Sequence, residues 1–160
     1  MRAYLVVMDE TEEAKAALRF ASLRALATDS IVHILALVPR QTFNAFGGVQ
    51  ATIEQEAKER AEVIANSAAG SLFMDGGRMP KISVSPGDPA SVIRTYLQEN
   101  DNVMALVLGA AKDGGPGPLV NYFSGVSGTL PCPLYIIPDL PMDRLRTLSG
   151  VHDTPDDGAD

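Results

Sequence analysis

The chain has no tryptophan, one cysteine and two histidines. With Cys132 alone an internal disulfide is excluded, and no Cys/His set has metal-ligand spacing. Long apolar runs are also missing, since nothing approaches the roughly 20 residues that span a bilayer. The segment from Met1 to Val7 runs straight into Asp9. It shows neither the longer apolar core nor the small-residue cleavage site of a signal peptide. The simplest expectation is a cytoplasmic protein with no membrane partner. Positive charge is scarce too: the formal net charge is −7 over 160 residues. Residues 139–160 hold six Asp and two Arg and carry −4; the rest, 14 acidic against 11 basic residues, carries −3. No basic patch stands out, which argues against nucleic acid as a partner. An anionic ligand would have to rely on local backbone dipoles. The Gly-x-x-x-x-Gly-Lys-Ser/Thr phosphate loop is absent, and no serine has a visible base partner.

What is present is an apolar fraction of 46%, enough for one core in one domain. Strand and helix patterns alternate. Tyr4–Met8 is a continuous apolar run, as in a strand buried on both faces. Thr11 can cap the helix that follows, with Glu12 and Glu13 favourable in its first turn. Ala14, Ala17, Leu18, Ala21 and Ala25 form a stripe of small residues, so this helix can lie close to a sheet. Ile31–Val38 is a second buried strand, ended by Pro39. A loop with Phe43, Phe46 and Gly47-Gly48 leads to a helix from about Val49 to Leu72. Its apolar face is Ile53, Ala57, Ala61, Ile64, Ala68 and Leu72. Alternating Ile82 and Val84 between Pro80 and Pro86 predict an edge strand. Gly87-Asp88-Pro89 supplies a turn, an N-cap and a proline at the first helical position. The strand Val103–Leu108 is the most apolar and should be central. A glycine-rich loop, Gly109–Gly117, follows it. Pro118 opens a fourth helix to about Gly128, and Pro131-Cys132-Pro133 leads into a last strand, Leu134–Ile137.

This order, β-α-β-α-β-α-β-α-β, favours a doubly wound α/β domain over residues 1–138. The remainder, 139–160, reads as an acidic C-terminal tail whose one helical prospect lies around Met142–Leu148. His33, mid-strand, reads as structural, His152 as solvated, and Cys132 as a small buried filler.

Several of these features together resemble the universal stress protein family, with its adenine-nucleotide-binding α-hydrolase-like fold. They are the strand ending in Asp9, the strand ending in Leu37-Val38-Pro39, the turn Gly87-Asp88-Pro89, Leu106-Val107-Leu108-Gly109, and Pro131 through Ile137. The resemblance implies a mostly parallel five-stranded sheet in the order 3-2-1-4-5 with four flanking helices. It also implies a homodimer formed through the last strand. An adenine nucleotide (ATP, ADP or AMP, with Mg²⁺ for a triphosphate) would sit at the carboxyl ends of the first and fourth strands, where the order reverses.

In nucleotide-binding members the loop reads Gly, two residues, Gly, nine residues, then Gly and Ser or Thr. Here Gly109 keeps the first position, Lys112 replaces the second glycine, and Val120-Asn121 falls at the Gly-Ser position. The loop is two residues short. Gly114, Gly115 and Gly117 offer an alternative cradle, Lys112 a phosphate partner and Asn121 a donor in place of the hydroxyl. By resemblance, Met8 and Asp9 line the ribose and phosphate site and Val38 touches adenine. The residues alone equally allow a tight strand-to-helix turn, a capping role for Asp9, core packing for Val38, and a core-covering role for Phe43 and Phe46. Three readings follow. The first is a non-catalytic stress-response protein with a regulatory adenine nucleotide. The second is an interaction module of the same fold that binds no nucleotide. The third is a nucleotide hydrolase using Asp9 and Lys112. A phosphoacceptor receiver domain is excluded, because the third strand ends in Ser85-Pro86 and the fifth in Pro138-Asp139.

Overall fold

The computed structural model describes residues 1–38, 47–74 and 77–151. Phe43, Phe46 and His152 lie outside these residues. The elements are β1 (Ala3–Met8), α1 (Glu12–Thr28), β2 (Ile31–Val38), α2 (Gly47–Met74), β3 (Lys81–Pro86), α3 (Pro89–Glu99), β4 (Val103–Gly109), α4 (Pro118–Gly125), β5 (Leu134–Ile137) and α5 (Met142–Ser149). A single 3₁₀ turn, Ser127–Thr129, follows α4.

The five strands form one sheet in the order β3-β2-β1-β4-β5, and every pairing is parallel. All six residues of β1 are buried, as its unbroken apolar run requires for the central strand. The proline-flanked β3 is an edge, with Val38 in register with Pro86 at its end. Tyr4, Val6, Ile34 and Val107 share a core with α1 and α2, whereas Leu5, Val7, Leu35 and Leu106 pack with Ile93, Leu97 and Phe123 of α3 and α4. Helices thus cover both faces, as right-handed crossovers demand when the strand order reverses between β1 and β4.

Local sequence sets the helix ends. Thr11 caps α1 by accepting from the Ala14 N–H at 3.4 Å, and Asp88 caps α3 by accepting from Ser91 N–H at 3.0 Å. The alanine stripe of α1 is buried as expected. Ala16, Phe20 and Leu23, on the other side of that helix, are buried as well. Phe20 stands edge-on to Tyr135 of β5, and α1 also contacts α5, a fifth helix where four were expected. Leu145 and Ser149 of α5 are fully buried, and the Ser149 carbonyl accepts from Arg24 Nη1 at 2.9 Å. The first part of the expected tail is therefore packed onto the domain, because α5 contacts α1 and buries Leu145 in the core shared by the sheet, α1 and α2. Among the described residues no helix is long and apolar enough to cross a membrane.

Candidate functional site

The carboxyl ends of β1 and β4 lie side by side, with Val6 in register with Val107. Asp9 leaves β1 half-buried, and its carboxylate accepts from Thr11 N–H at 3.0 Å and from the Thr11 hydroxyl. The same hydroxyl accepts from Ala14 N–H. Asp9 thus holds the residue that starts α1, which is the capping reading of its sequence position.

Gly109 ends β4 directly beneath the first turn of α1. A Cβ there would stand 1.8 Å from the Glu13 carbonyl oxygen, so only glycine admits this approach. From Gly109 the chain crosses a loop pinned at both ends. Ala110 N–H donates to the Ile137 carbonyl at 2.9 Å and Ala111 N–H to that of Pro116 at 3.0 Å. Gly114 and Gly115 sit in its exposed part. Gly117, at φ 101°, is the N-cap of α4 and gives that helix no side-chain cap. Pro118 has no N–H, and Asn121 N–H donates to the Gly117 carbonyl at 3.0 Å, which leaves the Leu119 and Val120 amides at the helix mouth. These elements enclose a crevice of about 80 Å³ lined by Asp9, Thr11, Glu13, Gly109, Gly117 and Leu119, among others. It is far smaller than the roughly 300–1,000 Å³ of small-molecule sites.

The structure therefore gathers Asp9, Gly109 and Gly117 and leaves the other nominated residues outside the crevice. Met8 and Val38 are buried in the core shared with α1 and α2. Lys112 is exposed and pairs with Asp139 at 3.1 Å. Asn121 is exposed on α4. Sequence reasoning did not place Glu13 in the site. Its carbonyl lies against Gly109, and its carboxylate oxygen would stand 4.0 Å from a Cβ on Gly117. The available signal was the small stripe of α1, which lets the helix start descend onto β4. Among the described residues no group of three or more His, Cys, Asp or Glu side chains gathers as metal ligands.

A doubly wound parallel sheet with a crevice at its switch point, closed by a glycine-rich strand-to-helix loop, defines the class of this protein. The universal stress protein family model matches residues 1–138, and the chain belongs to that family. No curated protein matches the chain. Among solved structures, it is similar to universal stress protein UspA from Lactobacillus plantarum, at 20% identity and a TM-score of 0.73, covering 85% of this chain and 97% of that one. It is also similar to the universal stress protein from Archaeoglobus fulgidus in complex with dAMP, at 18% identity and a TM-score of 0.60, covering 86% and 97%. A universal stress protein in complex with cAMP matches at 14% identity and a TM-score of 0.60, covering 85% and 96%.

Proposed function

We propose that this chain is a non-catalytic, cytoplasmic stress-response protein that takes an adenine mononucleotide as a regulatory ligand. The observation that carries the reading is the mouth of α4. Leu119 and Val120, whose backbone amides have no side-chain cap, line the crevice at the carboxyl ends of β1 and β4. A space of about 80 Å³ suits a phosphate group rather than a whole nucleotide. The nucleoside then lies outside it, along the β1 and β2 ends near Asp9. The dAMP and cAMP carried by the two relatives are monophosphates, which agrees with one phosphate per site. Lys112 lies off the crevice with Asp139, so the amides and not a cation supply the attraction.

Equilibrium dialysis against AMP, cAMP, ADP and ATP, with and without Mg²⁺, tests this. AMP-type ligands should bind best, and absence of binding at millimolar ligand eliminates the reading. A phosphate-release assay should show no turnover of ATP. Asp9→Ala turning over more slowly than the parent would revive the hydrolase alternative.

Glu13 favours a second reading, a partner-binding module that holds no nucleotide. Its carboxylate stands near the α4 mouth and repels an incoming phosphate. Glu13→Gln separates the two: nucleotide binding that appears only in this variant establishes the second reading. In either case the chain pairs with a second copy through β5, a four-residue edge strand on which Ile136 is 41% exposed.

A further inference from the structure

A second cavity, much larger than the crevice, meets it only at Asp9. It is a groove of about 830 Å³ that runs between α1 and α2 and is bordered by the start of α5. That volume falls within the range typical of small-molecule sites. Its walls include Leu18, Leu26, Val63, Ile64, Leu72 and Met142. Three of these are large apolar side chains left open to solvent: Leu26 at 47%, Val63 at 68% and Met142 at 40%. Apolar side chains gathered along one channel mark a binding surface more than singly scattered ones do. The serines of the groove ask little of a ligand. Ser22 and Ser71 donate to the carbonyls of Leu18 and Ser67 on their own helices.

The groove also has a charged side. Arg19 of α1 and Arg146 of α5 both line it. Other cations nearby are engaged: Lys15 with Glu12, Lys112 with Asp139, and Arg24 with the Ser149 carbonyl. Neither the Arg19 nor the Arg146 guanidinium has a hydrogen bond or ion pair among the described residues. Arg19 also borders a recess lined by the Lys112–Asp139 ion pair, whose charges cancel, so the arginines remain the cationic groups that face a ligand. Asp9 and Glu10 make another part of the rim acidic, so an anionic head is directed to the arginines. The groove follows α1 from Lys15 to Leu26, a rise of about 16 Å.

We propose that this groove binds a free, single-chain amphipathic carboxylate, a medium-chain fatty acid. The chain lies along Leu18, Leu26, Val63 and Ile64, and the carboxylate accepts charge-assisted hydrogen bonds from Arg19 and Arg146. The groove meets the proposed nucleotide crevice at Asp9, which lines both, but the proposal rests on the arginines and the apolar wall and not on nucleotide binding.

Isothermal titration of the full chain with octanoate, decanoate and dodecanoate, below their micellar concentrations, is the test. Affinity should rise about tenfold per two methylene groups as the chain fills the groove. The Arg19→Glu/Arg146→Glu double variant should weaken dodecanoate at least tenfold while leaving dodecanol, which has no charge, unaffected. Val63→Glu should abolish binding of both, with circular dichroism and thermal melting unchanged because Val63 is exposed. Equal affinity for dodecanoate and dodecanol, or no saturable binding to the folded protein, overturns the proposal. So does Val63→Glu changing the sedimentation coefficient of ligand-free protein, which would make the groove a contact between copies of this chain.

Discussion

Gly109 shows how one missing methyl sets the position of a helix. With the Glu13 carbonyl 1.8 Å from where a Cβ would be, Gly109→Ala forces backbone against backbone, which no rotamer change relieves. The variant is expected to lose about 3 kcal/mol, read from urea denaturation midpoints. A loss below about 0.5 kcal/mol would mean that α1 can lift off β4 freely. His33 carries a different constraint. It is 2% exposed, with Nδ1 2.8 Å from the Tyr96 hydroxyl. Burial, then the charges of Lys81 and the N-terminus, hold its pKa below the ordinary value of 6.5. The unfolded chain therefore takes up the proton first as pH falls. The stability contributed by neutral His33 is complete above about pH 6.5 and is lost on acidification below it. In His33→Gln the decline of melting temperature between pH 7 and 5 should flatten. An unchanged slope would assign the acid sensitivity to other groups.

At the scale of elements, α5 turns α1 into a helix covered on two sides. Leu145 is fully buried at that contact, so Leu145→Ala should cost about 3 kcal/mol, measured by thermal or denaturant unfolding. A cost near zero would mean that α5 adds nothing to the domain. Most of the element order was legible in the sequence, because buried strands such as Tyr4–Met8 and capped helices such as that after Asp88 carry local signals. The packing of α5 was not legible. A short helix with one buried leucine has no distinct pattern, and nothing in the α1 sequence beyond its small-residue stripe marks a surface for it to dock on. The crevice was legible in part for a similar reason. Asp9 and Gly109 end strands whose adjacency follows from topology, whereas Lys112 and Asn121 were placed by loop position, and loop direction depends on contacts such as Ala111 with Pro116. The groove between α1 and α2 had no sequence signal, since a gap between helices depends on how far apart they sit on the sheet.

For the molecule as a whole, the two edge strands differ. β3 is bounded by prolines, whereas β5 is short and presents Ile136. If copies pair through β5, Ile136→Asp should shift the sedimenting species from dimer to monomer at micromolar concentration with little change in the monomer's circular dichroism. A parent protein that already sediments as a monomer would remove that pairing.

The burial of β1 between β2 and β4 has a consequence during synthesis. β1 leaves the ribosome before both of its partners and cannot complete its pairing until β4, about a hundred residues later, has followed. Until then Leu5, Val7 and Leu35 wait for Ile93, Leu97 and Phe123 to cover them. A nascent chain arrested after residue 86 should stay protease-sensitive and chaperone-bound, whereas one arrested with residue 130 clear of the exit tunnel should resist digestion.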